Sequence, residues 1–267
     1  MSAILLNVKN NVATLSNNDA PYNRMTLDYM DELERLIPEL GADNSVRALV
    51  FTGEGEEHFS VGMNLKQFQE GIERKGSMDA VLDQRLRVLN LIENLGKPSI
   101  ATLFGYCLGG GLELPLACHF RLAADEGAQI GLPEMDLGTV PAWGGSARLP
   151  RVVGRDVALD MILRGRMISG EEALHAGLVM ETCPVTKIKA RAQSLGEELA
   201  KQPRLAVKGV LDTIVGFEAK SLQQSILDER AAVHLTRGTA DSQEGMRAFL
   251  EKRAPVFNQD SKRDFRQ

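Results

Sequence analysis

Two glutamates and a run of glycines are the residues of this chain best suited to chemistry. Gly109, Gly110 and Gly111 are consecutive, Glu113 follows them closely, and Glu134 ends the segment Ile130-Gly-Leu-Pro-Glu134. Three adjacent glycines cost backbone entropy, so they suit a place where the chain bends sharply or lets a ligand touch the main chain. The residues from Leu112 to Ala117 have helix-compatible side chains. A helix starting at the glycines aims unpaired N–H groups and the positive end of its dipole at one point. Such a point binds an anion or stabilises a developing oxyanion. Glu113 falls in the first turn of that helix, and Glu134 follows after one strand and a turn. Taken singly, a glycine cluster is more often tight packing, and a first-turn glutamate is more often a partner of the helix dipole. The two together, with a second glutamate after a proline, tip the reading toward chemistry.

The flanking sequence supplies elements to position these groups. Ser99–Phe104 is a short apolar run that reads as a buried strand ending at Gly105. Upstream, Ile4–Val8 and Val12–Ser16 flank Lys9-Asn10-Asn11 and predict a hairpin. Thr26 predicts a helix cap, with Leu27, Met30, Leu33 and Leu40 on one face, Pro38 disturbing the last turn and Gly41 as the stop. Val46–Thr52 is a second core strand, and Gly53–Gly62 is a loop. Residues 66–95 read as helical, broken near Gly71 and Gly76. Phe120–Ala124 is another strand and Gly138–Gly145 a loop, in which a lone Trp143 reads as packing. Helices over Ser146–Val153 and Arg155–Leu163 precede a capping box at Ser169-Gly-Glu-Glu172. Leu178–Thr182 is the last expected strand, and helices follow from Pro184. Strands alternating with helices predict an α/β fold. We divide it into a core over residues 1–200 and a helical C-terminal region over 201–267.

Composition narrows the function classes. The chain has 267 residues, enough to bury a sizeable core, and a net charge of −5. That balance gives no general attraction to nucleic acid or to an anionic membrane. Cys107, Cys118 and Cys183 form no CxxC pair, which argues against a disulfide framework. His58, His119, His175 and His234 are scattered, so no metal site is expected. No GxSxG elbow and no phosphate-binding glycine motif is present. The N-terminus lacks the basic and apolar regions of a secretory signal, and no apolar run is long enough to span a bilayer, so a cytoplasmic location is expected.

Four segments, in this order, carry a resemblance. They are His58-Phe-Ser-Val-Gly-Met-Asn-Leu65, then Gly105-Tyr-Cys-Leu-Gly-Gly-Gly-Leu-Glu113, then Gly131-Leu-Pro-Glu134 with Leu137-Gly-Thr-Val-Pro141, and last Gly144-Gly-Ser-Ala-Arg-Leu-Pro-Arg-Val-Val-Gly154. Over nearly its whole length the chain resembles the crotonase (enoyl-CoA hydratase/isomerase) superfamily. The resemblance implies a spiral of β-β-α turns, a helical C-terminal trimerisation region, trimers often paired into hexamers, and an acyl-CoA substrate with no separate cofactor. It implies an oxyanion hole from the backbone N–H groups of Met63 and Gly110. It also implies catalytic roles for Glu113 and Glu134, with Glu134 the principal acid/base and Glu113 holding the water. Isomerases of the family usually keep only the second glutamate, so the presence of both favours a hydratase. By the same resemblance the CoA moiety runs past Arg24, Met25, Ser60, Val61, Gly62, Asn64 and Leu65, with Phe249 and Lys252 of a neighbouring subunit near the adenosine. The resemblance also counts Pro133, Leu137, Gly138 and Ala142 among the substrate-binding residues, with Ala142 beside the water site.

The implied chemistry is consistent with the residues. Water addition to a 2-enoyl thioester puts negative charge on the thioester oxygen, which two aligned donors stabilise. One carboxylate takes a proton from water while another group supplies one to the α-carbon. Two close carboxylates oppose each other's ionisation, so one stays protonated near neutral pH. Four positions depart from the family pattern: His119 for a common Asp, Ala142 for a common Gly, Asn64 for a frequent Asp, and Gly127 as an apparent insertion. His119 reads as a packing change. Asn64 leaves the polarity of the acyl end open, including aromatic or sulfur-containing acyl groups. Other reactions on the scaffold (Δ3-Δ2 isomerisation, thioester hydrolysis, hydration with cleavage) and a non-catalytic binding role remain alternatives. The acidic balance disfavours nucleic acid.

Overall fold

A computed structural model describes residues 2–259. Met1 and residues 260–267, the outer ends of the two expected regions, lie outside the described residues. The chain opens with β1 (Ile4–Lys9) and β2 (Val12–Asn17), antiparallel and paired from Ile4 with Asn17 to Lys9 with Val12. Asn10 and Asn11 both take positive φ, 51° and 66°, the conformation that a two-residue hairpin turn requires. Next come α1 (Leu27–Ala42), β3 (Ala48–Gly53), α2 (Phe68–Lys75), α3 (Met78–Glu93) and β4 (Ser99–Leu103). β5 (Tyr106–Leu108), α4 (Gly110–Ala117), β6 (Phe120–Ala124) and β7 (Gln129–Gly131) form the centre. A 3-10 turn over Pro133–Leu137 leads to α5 (Gly145–Val153), α6 (Arg155–Leu163), α7 (Gly170–His175), β8 (Glu181–Cys183) and α8 (Val185–Ala200). The last helices are α9 (Arg204–Ile214), α10 (Leu222–Thr236) and α11 (Ala240–Leu250).

Six strands form one sheet in the order β1-β2-β3-β4-β6-β8, parallel from β2 onward. β3 and β4 are buried along their whole length, as central parallel strands covered on both faces must be. α8 packs on β2, β3, β4 and β6. A second, two-stranded parallel sheet pairs β5 with β7. The mixed α/β architecture agrees with the expected fold class.

Several local expectations need correction. α1 runs through both Pro38 and Gly41 to Ala42, where the Asp43 N–H returns to the Glu39 carbonyl. Its buried face of Leu33, Leu36, Ile37 and Leu40 outweighs the one hydrogen bond that Pro38 cannot make. Gly71 does not break α2. It lies inside the helix where a Cβ would come within 3.1 Å of Leu27. The break is at Gly76, which takes a left-handed C-cap. The last strand is Glu181–Cys183, because Leu178 and Val179 are buried in the turn before it. β5 and β7 are only three residues each, too short for periodicity to reveal.

α9, α10 and α11 differ from the rest. α9 and α10 pack closely through Gly209, where a Cβ would meet Ala232 at 2.7 Å. α10 has no buried residue. Leu222, Met246, Phe249 and Leu250 are exposed by 78%, 63%, 77% and 71%, so this region leaves a large apolar surface uncovered. Among the described residues, no helix is long and apolar enough to cross a membrane.

His119 has a structural role, as the packing reading anticipated. Its Nδ1 accepts from the Ser99 amide at 3.1 Å and its Nε2 donates to the Glu93 carbonyl at 3.1 Å. Burial lowers its pKa, which favours the neutral ring this arrangement needs. His119→Ala leaves the buried Ser99 amide without that acceptor, so it should lower unfolding stability by about 1–3 kcal/mol. Chemical denaturation checks this, and stability equal to wild type would remove the role.

Candidate active site

The site is built where four backbone segments meet. β5 pairs on one side with β7, in the register Cys107 with Ile130 and Leu108 with Gly131. On its other side it takes an isolated bridge from Ser60 to Cys107, with Ser60 N donating to Tyr106 O and Leu108 N to Ser60 O, both 3.0 Å. Met63 in turn bridges Met25, through Met25 N to Gly62 O at 2.8 Å and Asn64 N to Met25 O at 3.2 Å. The Ser60 hydroxyl accepts from Gly62 N at 3.0 Å. Nearly every amide around Met63 is thus committed. Among the described residues, neither Met63 N nor Gly110 N donates to any acceptor. Gly110 is the first residue of α4, where a helix leaves its N–H groups unpaired.

Glycine is required here for two separate reasons. Gly62 takes φ +87°, and a Cβ on it would reach within 2.6 Å of Leu108 O and 3.3 Å of Gly110 N. A Cβ on Gly110 would lie 2.3 Å from Cζ3 of Trp143. The two free amides can therefore share one small acceptor only because no side chain intervenes.

The carboxylates arrive from the ends of the paired strands β5 and β7. Glu113 lies in the first turn of α4, beyond β5, and is 2% exposed. Its Oε1 accepts from Trp143 N and Gly145 N, both at 2.8 Å. Burial, with a smaller contribution from the charge of Glu134, pushes its pKa up to about 7 against these two hydrogen bonds. Glu134 follows β7 in the 3-10 turn. Its Oε1 lies against Gly109, 3.0 Å from where a Cβ would stand. Its Oε2 is buried and, among the described residues, has no hydrogen-bond partner. Burial raises this pKa too, while its own backbone N–H opposes the rise. The chain thus brings two free N–H groups and two carboxyl groups of raised pKa together. Such a set can stabilise an oxyanion and move protons beside it.

The remaining candidates have varied surroundings. Met25 is 1% exposed and supports Met63 through the backbone. Arg24 is bound to Asp19 through Nε at 2.6 Å and Nη2 at 2.9 Å. Val61, Asn64 and Pro133 are half-buried, and Leu65 is exposed. Leu137, Gly138 and Ala142 lie exposed on the rim, Gly138 as the left-handed cap of the 3-10 turn. Two contributors escaped sequence reasoning, the amides of Trp143 and Gly145 that hold Glu113. Main-chain donors leave no mark on side-chain patterns, and only the glycine pair Gly144-Gly145 hints at a close approach. Arg148 braces this loop, with Nη1 donating to Trp143 O at 3.2 Å and Nη2 bound to Glu93 at 2.6 Å.

Comparison with known proteins identifies the family. The family model described as Enoyl-CoA hydratase/isomerase matches residues 7–261. A probable enoyl-CoA hydratase of Bacillus subtilis (strain 168) is 36% identical over 96% of this chain and 99% of its own length. A mitochondrial enoyl-CoA hydratase of Pongo abelii is 32% identical over 93% of this chain and 84% of its own. Among solved structures, an enoyl-CoA hydratase of Bacillus anthracis superposes with a TM-score of 0.88 at 31% identity, covering 96% of this chain and 98% of that one. Pseudomonas aeruginosa DspI gives 0.90 at 31% identity, covering 97% of each. The chain belongs to the enoyl-CoA hydratase/isomerase family and has the crotonase fold.

The raised pKa of Glu113 has a consequence for stability. Folded Glu113 holds its proton more tightly than the unfolded residue at 4.5, so its stabilising contribution is complete below that pH and is lost as pH rises through about 7. The loss amounts to roughly 3 kcal/mol. Glu113→Gln keeps an oxygen for the two amides and has no charge to bury. Its stability relative to wild type should therefore rise between pH 4.5 and 7 and then level off. Denaturant titrations at several pH values check this, and a difference independent of pH would contradict a buried ionisation.

Proposed function

We propose that the protein hydrates a 2-enoyl-CoA thioester to the 3-hydroxyacyl-CoA. One observation carries the proposal: two unpaired amides, Met63 N and Gly110 N, stand beside two carboxyl groups whose pKa values are both raised. The names of the relatives at 36% and 32% identity support an acyl-CoA substrate. The thioester oxygen accepts from both amides, and losing one such donor typically costs about 2.7–4 kcal/mol of transition-state stabilisation.

The protonation states follow from the partners of each carboxyl group. Glu113 is carried up to about 7, and the reacting state is the one in which the two carboxyl groups hold a single proton between them. In its singly protonated form, the Trp143 and Gly145 amides favour the charge on Glu113. Addition proceeds from the form that carries the charge on Glu113 and the proton on Glu134, whose buried Oε2 has no donor to hold a charge. Glu113 then takes a proton from water through its other oxygen, and the resulting hydroxide adds to the β-carbon. Glu134 gives its proton to the α-carbon as the enolate collapses. The net change is one water added, with the site left one proton transfer from its starting state. Isomerisation needs no water, so the elaborate hold on Glu113 favours hydration. The CoA moiety runs along Arg24, Met25 and the Ser60–Leu65 segment, and Pro133, Leu137, Gly138 and Ala142 border the acyl and water side.

Glu134→Gln should keep acyl-CoA binding and lower kcat by about 10²–10⁴-fold. The check is loss of enoyl absorbance across a panel of acyl-CoA substrates, with product analysis. Near-normal turnover in the variant would remove Glu134 from the mechanism, and products of isomerisation or hydrolysis alone would replace the hydratase reading.

The uncovered apolar surface of α9, α10 and α11 supports assembly into trimers or paired trimers. Light scattering at micromolar concentration should give a trimer or hexamer. A monomer would contradict this.

A further inference from the structure

Trp143 does more than lend its amide to Glu113. Its side chain is 4% exposed, and the six-membered ring of the indole lies against Gly110, with Cζ3, Cη2 and Cε3 all within 2.9 Å of where a Cβ would stand. The same residue thus touches both halves of the site: its backbone holds the base, and its ring abuts the oxyanion residue.

Behind the ring stands Arg85 of α3. The guanidinium carbon is 5.8 Å from the centre of the indole, within reach of a cation–π contact. Arg85 is fully buried, yet among the described residues no carboxylate pairs with it directly. Nη1 donates to Val81 O at 3.2 Å and to Gln84 Oε1 at 2.7 Å. Gln84 Nε2 in turn donates to Asp31 at 2.6 Å and Glu34 at 2.8 Å on α1. Arg85 Nε and Nη2 are buried without hydrogen-bond partners among the described residues. A buried cation with this little polar support depends on the ring face in front of it. The indole is therefore fixed from behind.

We propose that Trp143, braced by Arg85, is the end wall of the acyl site and restricts the protein to short 2-enoyl thioesters. This rests on the hydratase reading above. With the carbonyl oxygen at Met63 N and Gly110 N and the double bond between Glu113 and Glu134, acyl carbons beyond the β-carbon head away from the CoA side. We place them toward the α3–α4 packing, where the indole that lies against Gly110 closes the way. A long chain would have to displace a ring held by a buried charge, whereas a crotonyl group stops short of it.

The experiment compares crotonyl-, decenoyl- and cinnamoyl-CoA hydration in wild type, Trp143→Ala, Trp143→Phe and Arg85→Met. Butyryl- and decanoyl-CoA dissociation constants are measured by calorimetry in parallel. Wild type should favour crotonyl- over decenoyl-CoA by at least tenfold in kcat/KM. Trp143→Ala, which keeps the backbone amide on Glu113, should raise the decenoyl-to-crotonyl ratio by at least tenfold. Trp143→Phe and Arg85→Met should raise it by less. If Trp143→Ala does not fold, Trp143→Phe and the wild-type preference still test the wall. Equal wild-type rates on crotonyl- and decenoyl-CoA, efficient use of cinnamoyl-CoA, or an unchanged ratio in the variants would overturn the proposal. The calorimetry separates it from the hydratase reading. A wild-type preference for butyryl- over decanoyl-CoA that weakens in Trp143→Phe supports the wall even if no thioester is hydrated. Equal affinity for the two esters, or binding of neither, overturns it.

Discussion

The backbone pairing of β5 with β7 on one side and with the Ser60 segment on the other is the constraint on which the site depends. It is a small amount of structure: three residues of β5, three of β7 and a single bridge at Ser60. Yet it sets Gly110 N, Met63 N, Glu113 and Glu134 in one place. Gly109 N donates to Gly131 O at 3.1 Å, which ties the start of α4 to the strand that delivers Glu134. A slip in either pairing would move a carboxylate away from the free amides. The six-stranded sheet supplies the rigid frame, since β4 leads directly into β5 and β6 returns toward β7.

The electrostatics follow from that geometry. Two carboxyl groups are brought out of water, burial raises both pKa values, and the charge of Glu134 adds to the rise at Glu113. Their neighbours then distinguish them. Glu113 receives two main-chain N–H groups, whereas one oxygen of Glu134 receives none. Main-chain donors are well suited to this task because they hold the carboxylate without adding a competing titratable group. Arg148, fixed by Glu93, keeps the donor loop in place. The cost is a site that destabilises the fold at neutral pH, as functional sites commonly do.

Much of this was legible in the sequence, and the parts that were not share a cause. Glu113, Glu134 and the glycine run stand out because residue type and spacing carry their meaning, and α4 does begin at Gly110. The hairpin turn was readable from Asn10-Asn11, whose side chains tolerate positive φ. The role of Met63 came only through the resemblance, because a backbone amide leaves no trace in residue type. The amides of Trp143 and Gly145 were missed on the same ground. β5 and β7 were too short to show alternation, and the end of α1 and the continuity of α2 through Gly71 were misread because buried packing overrode Pro38, Gly41 and Gly71. Nothing in the sequence singled out Arg85. Its burial follows from α3 packing against both α1 and α4, a tertiary fact with no local signature.

The central claim is that Glu113 and Glu134 act as one unit on one water, and a double-mutant cycle tests it most directly. Hydration kcat/KM is measured for wild type, Glu113→Gln, Glu134→Gln and the double variant on crotonyl-CoA. If the two groups share the water and its protons, either single change disables the addition and the double variant is little worse than the worse single. If instead the logarithmic losses of the two singles sum in the double, the carboxylates act independently and the shared-water account is wrong.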